Sequence, residues 1–521
     1  MSAARPLRER SLPLGGNSPQ GQGGPISLGL RTNLEPSSLR PQHRVATSPT
    51  VTPMNKAIVL TGLLAGLMCG CANVQTAEYR RPEAPTKAAW SQPPAGPAVS
   101  ATETVSPLWW TEFRDPQLDA LIQRAVAGNF DLKVLAARID VANSQIDEVR
   151  AGALPTLDIG AGANLEKSSG RKFSKQFSLG TQVSWDLDIW GGVAKGVQAQ
   201  TAAFHATEAD WRAGYLQLVA SVSTTYFQIL QLDEQIEHQQ RALARSRQIL
   251  AIYAGMHANG LVAETQVLRQ RAENNRLAKD LLELQRLRQL AENALATLLG
   301  VPAGELKIPA GRLQERVSVP SVPAGLPADL LQRRPDVVAA EFRVLEAHDL
   351  VGQAKLAQLP SVSLTGRGGT SAFSLGNLLR SFTVGLLPSI NIPAFNPGIK
   401  ARAKTTEKQR NLIEQDYKRT VIAAYEEVEN ALVNLDAQRQ QKAELQMQVE
   451  QLERVSAQVE AQLAAGVVSQ LEVFENERSL LAAQLALLAG HQQVLAGTVT
   501  LYKALGGGWA PVEVAKAAIS K

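Results

Sequence analysis

Residues 398–464 read GIKARAKTTEKQRNLIEQDYKRTVIAAYEEVENALVNLDAQRQQKAELQMQVEQLERVSAQVEAQLA, and this segment decides the fold. After Gly398 it contains neither proline nor glycine. Its apolar residues recur in steps of three and four, on one stripe of a helix (Tyr417, Val421, Tyr425, Val428, Leu432, Leu435, Leu445, Val449, Leu452, Val455, Val459 and Leu463). At 1.5 Å per residue this helix is about 100 Å long. It cannot be buried in a compact domain, so it must pack lengthwise against other long helices.

The chain contains an internal repeat at a spacing of 206 residues. Three pairs of glycines align at this spacing without a gap (Gly192 with Gly398, Gly260 with Gly466, Gly300 with Gly506). Upstream, NFDLKVLAAR (129–138) aligns with RPDVVAAEFR (334–343) at a spacing of 205. Ordered agreement over this length indicates a duplicated unit of helix, strand pair, long helix, turn and helix.

Each half also contains a pair of predicted strands, at 156–190 and 361–392. In FSLGTQVSWDLDIW (177–190) apolar and polar residues alternate strictly, which is the period of a strand. An outer-membrane barrel has this alternation, with apolar residues facing lipid and polar residues facing the lumen. A half-buried sheet of a soluble protein has it too, so the strands alone leave both readings open.

The strand count predicts an oligomer if the sheet lies in a membrane. Four strands cannot close a barrel, and a sheet with unpaired edges is not tolerated in lipid. Two copies would supply eight strands and three copies twelve. A lumen continuous with a tube of long helices favours three.

The N-terminal region reads as a targeting segment. Residues 54–70 contain one lysine, a short apolar run and then small residues, which is the order of a secretory signal peptide. The alternative is a buried core helix. Residues 1–53 are rich in Gly, Pro, Ser and Gln, and we expect them to be a mis-assigned start before Met54 or a disordered segment.

The formal charge of +5 gives no support for nucleic-acid binding. Residues 1–53 carry +4 of it, from six Arg and two Glu, and Lys56 adds one more. The remaining chain is therefore neutral, whereas a nucleic-acid interface needs a concentrated basic patch.

Five segments carry a family resemblance. They are WWTEFRDPQLDALI (109–122), RRPDVVAAEFRVLEAH (333–348), NPGIKARA (396–403), GVVSQLEVFENERSLLAAQ (466–484) and LYKALGGGW (501–509). Over residues 71–510 the chain resembles the TolC-like outer-membrane efflux proteins. The similarity is greatest to the lipoprotein branch that forms the exit duct of resistance-nodulation-division pumps (the NodT type).

The resemblance implies a mixed α and β membrane protein. Three copies would form a 12-stranded β-barrel in the outer membrane, continuous with a long α-helical barrel in the periplasm and surrounded by a small equatorial region. The expected parts are repeat 1 (109–300, with strands 156–190, long helix 192–257 and helix 263–299), repeat 2 (333–506, with strands 361–392, long helix 398–464 and helix 469–505), and the equatorial segments 71–108, 301–332 and 507–521.

The resemblance also suggests where the duct is closed. Gly260 and Gly466 are expected to form the turns at the helical tips, and the family narrows its pore just past the second tip. The matching residues are Leu471 and Glu475, one helical turn apart, with Glu where the family has Asp. The alternative is an ordinary solvated glutamate beside a packed leucine. Because the repeat equivalent of Glu475 is Arg269, we hypothesise that these two side chains lock the tips.

No catalytic pattern is evident in the sequence. The six histidines have no metal-ligand spacing, and there is no phosphate-binding loop. We therefore expect no enzyme activity, no metal and no cofactor beyond a covalent lipid. The expected function is a passive exit duct for drugs or other small toxic compounds, working with a periplasmic adaptor and an inner-membrane pump. The alternatives are a duct for type I protein secretion and a pore-less periplasmic coiled-coil scaffold lipoprotein.

The two cysteines of the chain give the first prediction. Met68, Cys69, Gly70 and Cys71 form a lipobox-like sequence, so cleavage before Cys71 would leave its thiol as the acylated N-terminus, and Ala72 allows sorting to the outer membrane. Cys71→Ser should abolish labelling by radioactive palmitate. Cys69→Ser is the matched control and should label normally, because Cys69 leaves with the signal peptide. Equal labelling of both variants would contradict the assignment.

Overall fold

A computed structural model of the chain describes residues 78–91, 105–167, 169–170, 173–322 and 330–509. All of them fall within one compact unit, Cys69–Lys521. The predicted signal peptide (54–70), the segment before it and the lipidation site Cys71 lie outside the described residues, as do parts of the three predicted equatorial segments.

The elements follow the same order in both halves. The first half contains helices α1 (Pro116–Gly128) and α2 (Phe130–Ala151), strands β1 (Thr156–Glu166) and β2 (Ser174–Leu187), and helices α3 (Gly192–Ala258) and α4 (Glu264–Leu298). The second half contains α5 (Pro335–Leu356), β3 (Ser361–Ala372), β4 (Thr383–Asn391), α6 (Pro397–Ala464) and α7 (Gln470–Ala504). Short helical turns lie at Trp109–Phe113, Leu313–Arg316, Leu330–Arg333 and Leu375–Asn377.

Helices α3 and α6 are the long helices, with 67 and 68 residues. The strand before α3 ends three residues earlier than the sequence pattern suggests, and local capping explains the difference. The Asp188 carboxylate accepts hydrogen bonds from the backbone N–H groups of Val193 (2.9 Å) and Ala194 (3.0 Å), so the chain leaves the sheet after Leu187 and enters α3. Before α6, Asn396 caps the helix by accepting from the Ile399 N–H at 3.2 Å. None of the described helices combines the length and hydropathy needed to cross a bilayer.

The four strands form one antiparallel sheet in the order β1-β2-β3-β4. One row across it joins Leu157, Val183, Gly366 and Leu386, and the next joins Asp158, Gln182, Arg367 and Gly385. The register therefore aligns the alternation of all four strands. One face, the apolar face, carries Val, Leu, Ile, Phe, Trp, Pro and small residues, with Lys175 as an exception. The opposite polar face carries Ser, Thr, Asn, Gln, Asp, Glu and Arg beside glycine, with Leu387 as an exception.

The largest hydrophobic core lies where the middle parts of the long helices pack around the turn Trp109–Phe113. Trp109 is 1% exposed and stacks on Tyr502 of α7 with ring centroids 4.9 Å apart. Asp115 caps α1 by accepting from the Gln117 N–H at 2.8 Å, and its second oxygen accepts from the Tyr226 hydroxyl at 2.7 Å. The WWTEFRDP segment thus joins the start of repeat 1 to α3 and α7.

In each repeat a side chain near the start contacts the end of the last helix, at equivalent positions in the two repeats. We call this contact the closure. In repeat 1 the Asn129 side chain donates to the carbonyl oxygen of Leu298 at 3.0 Å. In repeat 2 the buried Arg334 guanidinium donates to the carbonyl oxygen of Ala504 at 2.9 Å. Arg334 also pairs with Asp336 and Glu427, both at 2.7 Å. The start of each repeat therefore binds the end of its last helix.

Gly300 lies at this closure, and replacing Gly300 tests how tightly the closure is packed. It has φ of +70°, and a Cβ there would lie 2.3 Å from the Gly128 carbonyl oxygen. Gly260 has φ of +74° with nothing within 4 Å of such a Cβ, so it is a matched control. Gly260→Ala should cost about 1–2 kcal/mol from the left-handed backbone alone. Gly300→Ala should lower the thermal unfolding midpoint clearly further, and equal midpoints would contradict the tight closure.

Candidate functional site

The two tips of the helical hairpins have the same backbone structure. We call α3 with α4 hairpin 1, and α6 with α7 hairpin 2. At the first tip the Leu261 N–H donates to Met256 O, and at the second the Val467 N–H donates to Gln462 O, both at 2.9 Å. These i to i−5 bonds, with a left-handed glycine at Gly260 and Gly466, are Schellman turns. They satisfy the last carbonyls of each long helix.

Leu471 and Glu475 lie in the first two turns of α7, immediately after the second tip. Both side chains are exposed, and Leu471 has 55% of its surface accessible. Between them Val473 is buried at 3%, and Phe474 contacts Tyr253 of α3 with ring centroids 6.2 Å apart. The packing of Val473 and Phe474 therefore fixes the face of α7 that presents Leu471 and Glu475.

A cavity of about 670 Å³ separates the two hairpins above the tips. Arg269 of α4 and Leu471 and Glu475 of α7 all line it. Arg269 and Glu475 nevertheless form no ion pair within the described part of the chain. The hypothesised lock between these residues therefore stays a prediction.

A different arginine joins the hairpins at this level. The Arg245 guanidinium of α3 contacts Glu460 of α6 at 2.6 Å and Glu477 of α7 at 2.8 Å. We call these three residues the Arg245 clamp. The sequence gives no local signal for it, because Arg241 and Arg247 share the same helix and the partners lie more than 200 residues away.

The electrostatics of the clamp are set by partial burial. Burial raises the pKa of Glu477 above its ordinary value, although Arg245 opposes this, and the nearby Glu460 raises it further. The hydrogen bond with Glu460 raises the pKa of Arg245. The side chain of Arg245 is 52% exposed, so each pair is worth only about 0–1 kcal/mol. The clamp is thus a weak connection between the two hairpins.

The contacts between the two helices of a hairpin differ in chemistry between hairpin 1 and hairpin 2. We call these contacts the hairpin seam. In hairpin 1 the buried Gln270 amide donates to Ser246 O at 3.1 Å and to its Oγ at 2.7 Å, and Gln239 donates to Leu277 O at 3.0 Å. At 206 residues further on, Gln239 and Ser246 are replaced by Leu445 and Leu452. Buried hydrogen bonds hold hairpin 1 in one register. Hairpin 2 relies more on apolar contacts, which carry less directional preference.

The described residues show no cluster of three or more His, Cys, Asp or Glu side chains suited to a metal ion. The arrangement near the tips offers exposed apolar and charged side chains, a water-accessible cavity and a weak ion-pair network. These features suit control of a passage.

Comparison with known proteins identifies one family. The model of the outer membrane efflux protein family matches residues 121–301 and 326–507. The two matches lie one in each repeat.

Two relatives are similar over nearly their whole length. The toluene efflux pump outer membrane protein TtgC of Pseudomonas putida is 30% identical over 478 residues, which is 88% of this chain and 96% of that protein. The probable outer membrane lipoprotein SilC of Salmonella typhimurium is 28% identical over 462 residues, or 85% of this chain and 97% of that protein.

A solved structure shares the fold. The open state of the MtrE outer membrane channel of Neisseria gonorrhoeae superposes with a TM-score of 0.74 at 28% identity. The match covers 83% of this chain and 98% of that one.

The Arg245 clamp gives a prediction for channel opening. Arg245→Ala should raise the open-to-closed ratio of the isolated protein in planar bilayers by about fivefold, the equivalent of about 1 kcal/mol. Arg247→Ala is the matched control, because Arg247 is exposed on the same helix and has no ion pair in the described residues. An unchanged open-to-closed ratio for Arg245→Ala would exclude a role for the Arg245 clamp in keeping the channel closed. A rise with Arg269→Ala or Glu475→Gln would instead support a lock between those two residues.

Proposed function

This chain belongs to the outer membrane efflux protein family and is an outer-membrane component of an efflux system, and we propose that three copies form its exit duct. In the proposal, four strands from each copy close a 12-stranded barrel, and the long helices continue the lumen into the periplasm. Compounds move passively from periplasm to exterior through this lumen. The equatorial region is built from 71–108, 301–332 and 507–521.

The sheet is the single observation that carries this proposal. Its apolar face is solvent-exposed in one copy, with Ile159 at 71% and Leu386 at 70% accessible. Its outer strands β1 and β4 each have a free edge. In lipid, both features are satisfied if β1 of one copy pairs with β4 of the next and the apolar face turns outward. The polar face then lines a water-filled lumen.

The gate in this proposal lies at the periplasmic end. Three-fold symmetry would turn Leu471 and Glu475 into rings, one apolar and one acidic. An apolar ring disfavours water in a narrow pore, and a carboxylate ring attracts cations and repels anions. The Arg245 clamp supports the closed arrangement by joining hairpin 1 to hairpin 2.

The partners in this proposal are a periplasmic adaptor and an inner-membrane pump. The tips supply exposed apolar residues for an adaptor, since Leu261 is 70% and Val467 is 73% accessible. In this proposal the inner-membrane pump supplies the energy and the duct conducts passively. The relative TtgC is named for toluene. By analogy we propose drugs or other small toxic compounds as substrates.

A lipid on Cys71 would supplement the barrel as an anchor. The segment 78–91 that follows it is firmly attached to the helices. Arg81 binds the fully buried Glu341 of α5 through two contacts of 2.7 and 2.6 Å, and the Ser91 N–H donates to Glu429 of α6 at 3.0 Å. The lipidated end would therefore be tethered within a few residues of the helical barrel.

Two neighbouring residues of β2 test the proposed membrane orientation. Val183 lies on the apolar face and Gln182 on the polar face. Val183→Lys should cost about 1–2 kcal/mol in lipid, less than at the bilayer midplane because Val183 lies nearer the helical end of the sheet, and should lower the yield of heat-modifiable trimer. Gln182→Lys should form trimers and shift ion selectivity in planar bilayers toward anions. If both variants formed trimers equally well, the apolar face would not be the lipid face.

A further inference from the structure

The end of the sheet opposite the helices combines a lysine on the apolar face with an arginine and aromatic residues in the neighbouring connection. Strands β1 and β3 start beside helices and β2 and β4 end beside them, so the β1–β2 and β3–β4 connections lie at the far end. With the helices in the periplasm, this end is the extracellular one. We call it the outer rim.

The apolar face carries a charge only at this rim. Phe173, Lys175 and Phe177 continue the alternation of β2 on that face, and Lys175 pairs in register with Leu165. Within the described strands, Lys175 is the single charged residue on the apolar face. Its ammonium lies 5.7 Å from the centre of the Phe173 ring. A cation on a lipid-facing surface is tolerated near the interface, where it costs about 0–1 kcal/mol.

The β3–β4 connection also lies over the apolar face. The Thr370 hydroxyl, on that face, donates to the carbonyl oxygen of Leu378. The Phe382 ring lies 3.8 Å from where a Cβ of Gly368 would project on the same face. Leu375, Leu379 and Phe382 are 69%, 83% and 75% accessible. This connection therefore presents apolar side chains toward lipid rather than over the lumen.

Arg380 adds a second cation to this apolar connection. Residues 361–391 contain no acidic residue, and between 159 and 185 the single acid is Glu166, which falls on the polar face. The rim cations thus have no carboxylate partner on the apolar face of the described sheet. The opposite boundary is marked by Trp185, whose indole N–H donates to Ala153 O at 2.8 Å.

The spacing fits the thickness of a membrane. Ten residues separate Lys175 from Trp185 on β2, or about 33 Å along a strand. With a strand tilt of about 40°, the height is about 25 Å, which matches the apolar band of an outer-membrane barrel. Lys175 and Arg380 would then lie at the level of the outer-leaflet headgroups.

We propose that Lys175 and Arg380 form a binding site for a phosphate-bearing lipid of the outer leaflet. The two cations bind the phosphate, while Phe173, Leu379 and Phe382 contact the adjoining acyl chains. The inference rests on the proposed closed barrel. It adds a lipid class that the family membership does not specify.

The test measures lipid binding to the intact trimer in neutral detergent. Bisphosphorylated lipid A is titrated and counted by native mass spectrometry. Each cation should contribute about fivefold in affinity, so Lys175→Gln with Arg380→Gln should weaken binding by about 25-fold. Lys175→Arg should retain it. Arg367→Gln is the matched control, because Arg367 is a cation of the same sheet on the polar face, and it should bind as the unchanged protein does.

Three results would overturn the site. One is equal binding by the double variant, another is an equal loss with Arg367→Gln, and the third is full competition by inorganic phosphate, which would indicate a general anion site. Weaker binding of monophosphorylated lipid A would support a phosphate contact. Planar-bilayer conductance of the same samples separates the two proposals: channels without lipid preference exclude only this site, whereas absence of channels excludes the duct.

Discussion

Backbone groups placed in lipid must all find hydrogen-bond partners, and this constraint governs the whole molecule. One chain supplies a four-stranded sheet with an exposed apolar face and two free edges. Such a sheet is unstable alone in either water or lipid. The long helices have the same difficulty, because each is about 100 Å long and buries only a stripe of itself within one copy. In the proposed trimer, one rotational symmetry supplies identical neighbours to both the sheet and the helices.

The two repeats share a backbone plan but differ in chemistry. Closure uses a neutral amide at Asn129 and a buried guanidinium at Arg334 for equivalent carbonyl groups. The hairpin seam uses Gln239 and Ser246 in one repeat and leucines in the other. Duplication supplied the geometry, and later divergence left one hairpin fixed by directional bonds and the other more easily displaced.

Much of the architecture could be predicted from the sequence because it depends on local periodicity. The 3.6-residue stripe, the alternation of β2 and the left-handed glycines at 260 and 466 are each legible within a short window. The Arg245 clamp and the Arg334 closure were not predictable, because all their partners except Asp336 lie 93 to 232 residues away and nearby arginines look the same. The Arg269–Glu475 pairing stays a prediction, since repeat equivalence does not by itself imply contact. The role of Lys175 became visible only once the register placed it on the apolar face.

The order of the strands has a consequence for biogenesis. Strand β2 must wait for β3, which begins more than 170 residues later, after both helices of hairpin 1 have crossed the inner membrane. During export the first strand pair therefore has an unpaired strand edge and an exposed apolar face in the periplasm, where it could pair with other chains. Slow non-local pairing of this kind exposes a protein to aggregation. Until β3 has also been exported, the unpaired edge and apolar face of the first strand pair are therefore open to association with other chains.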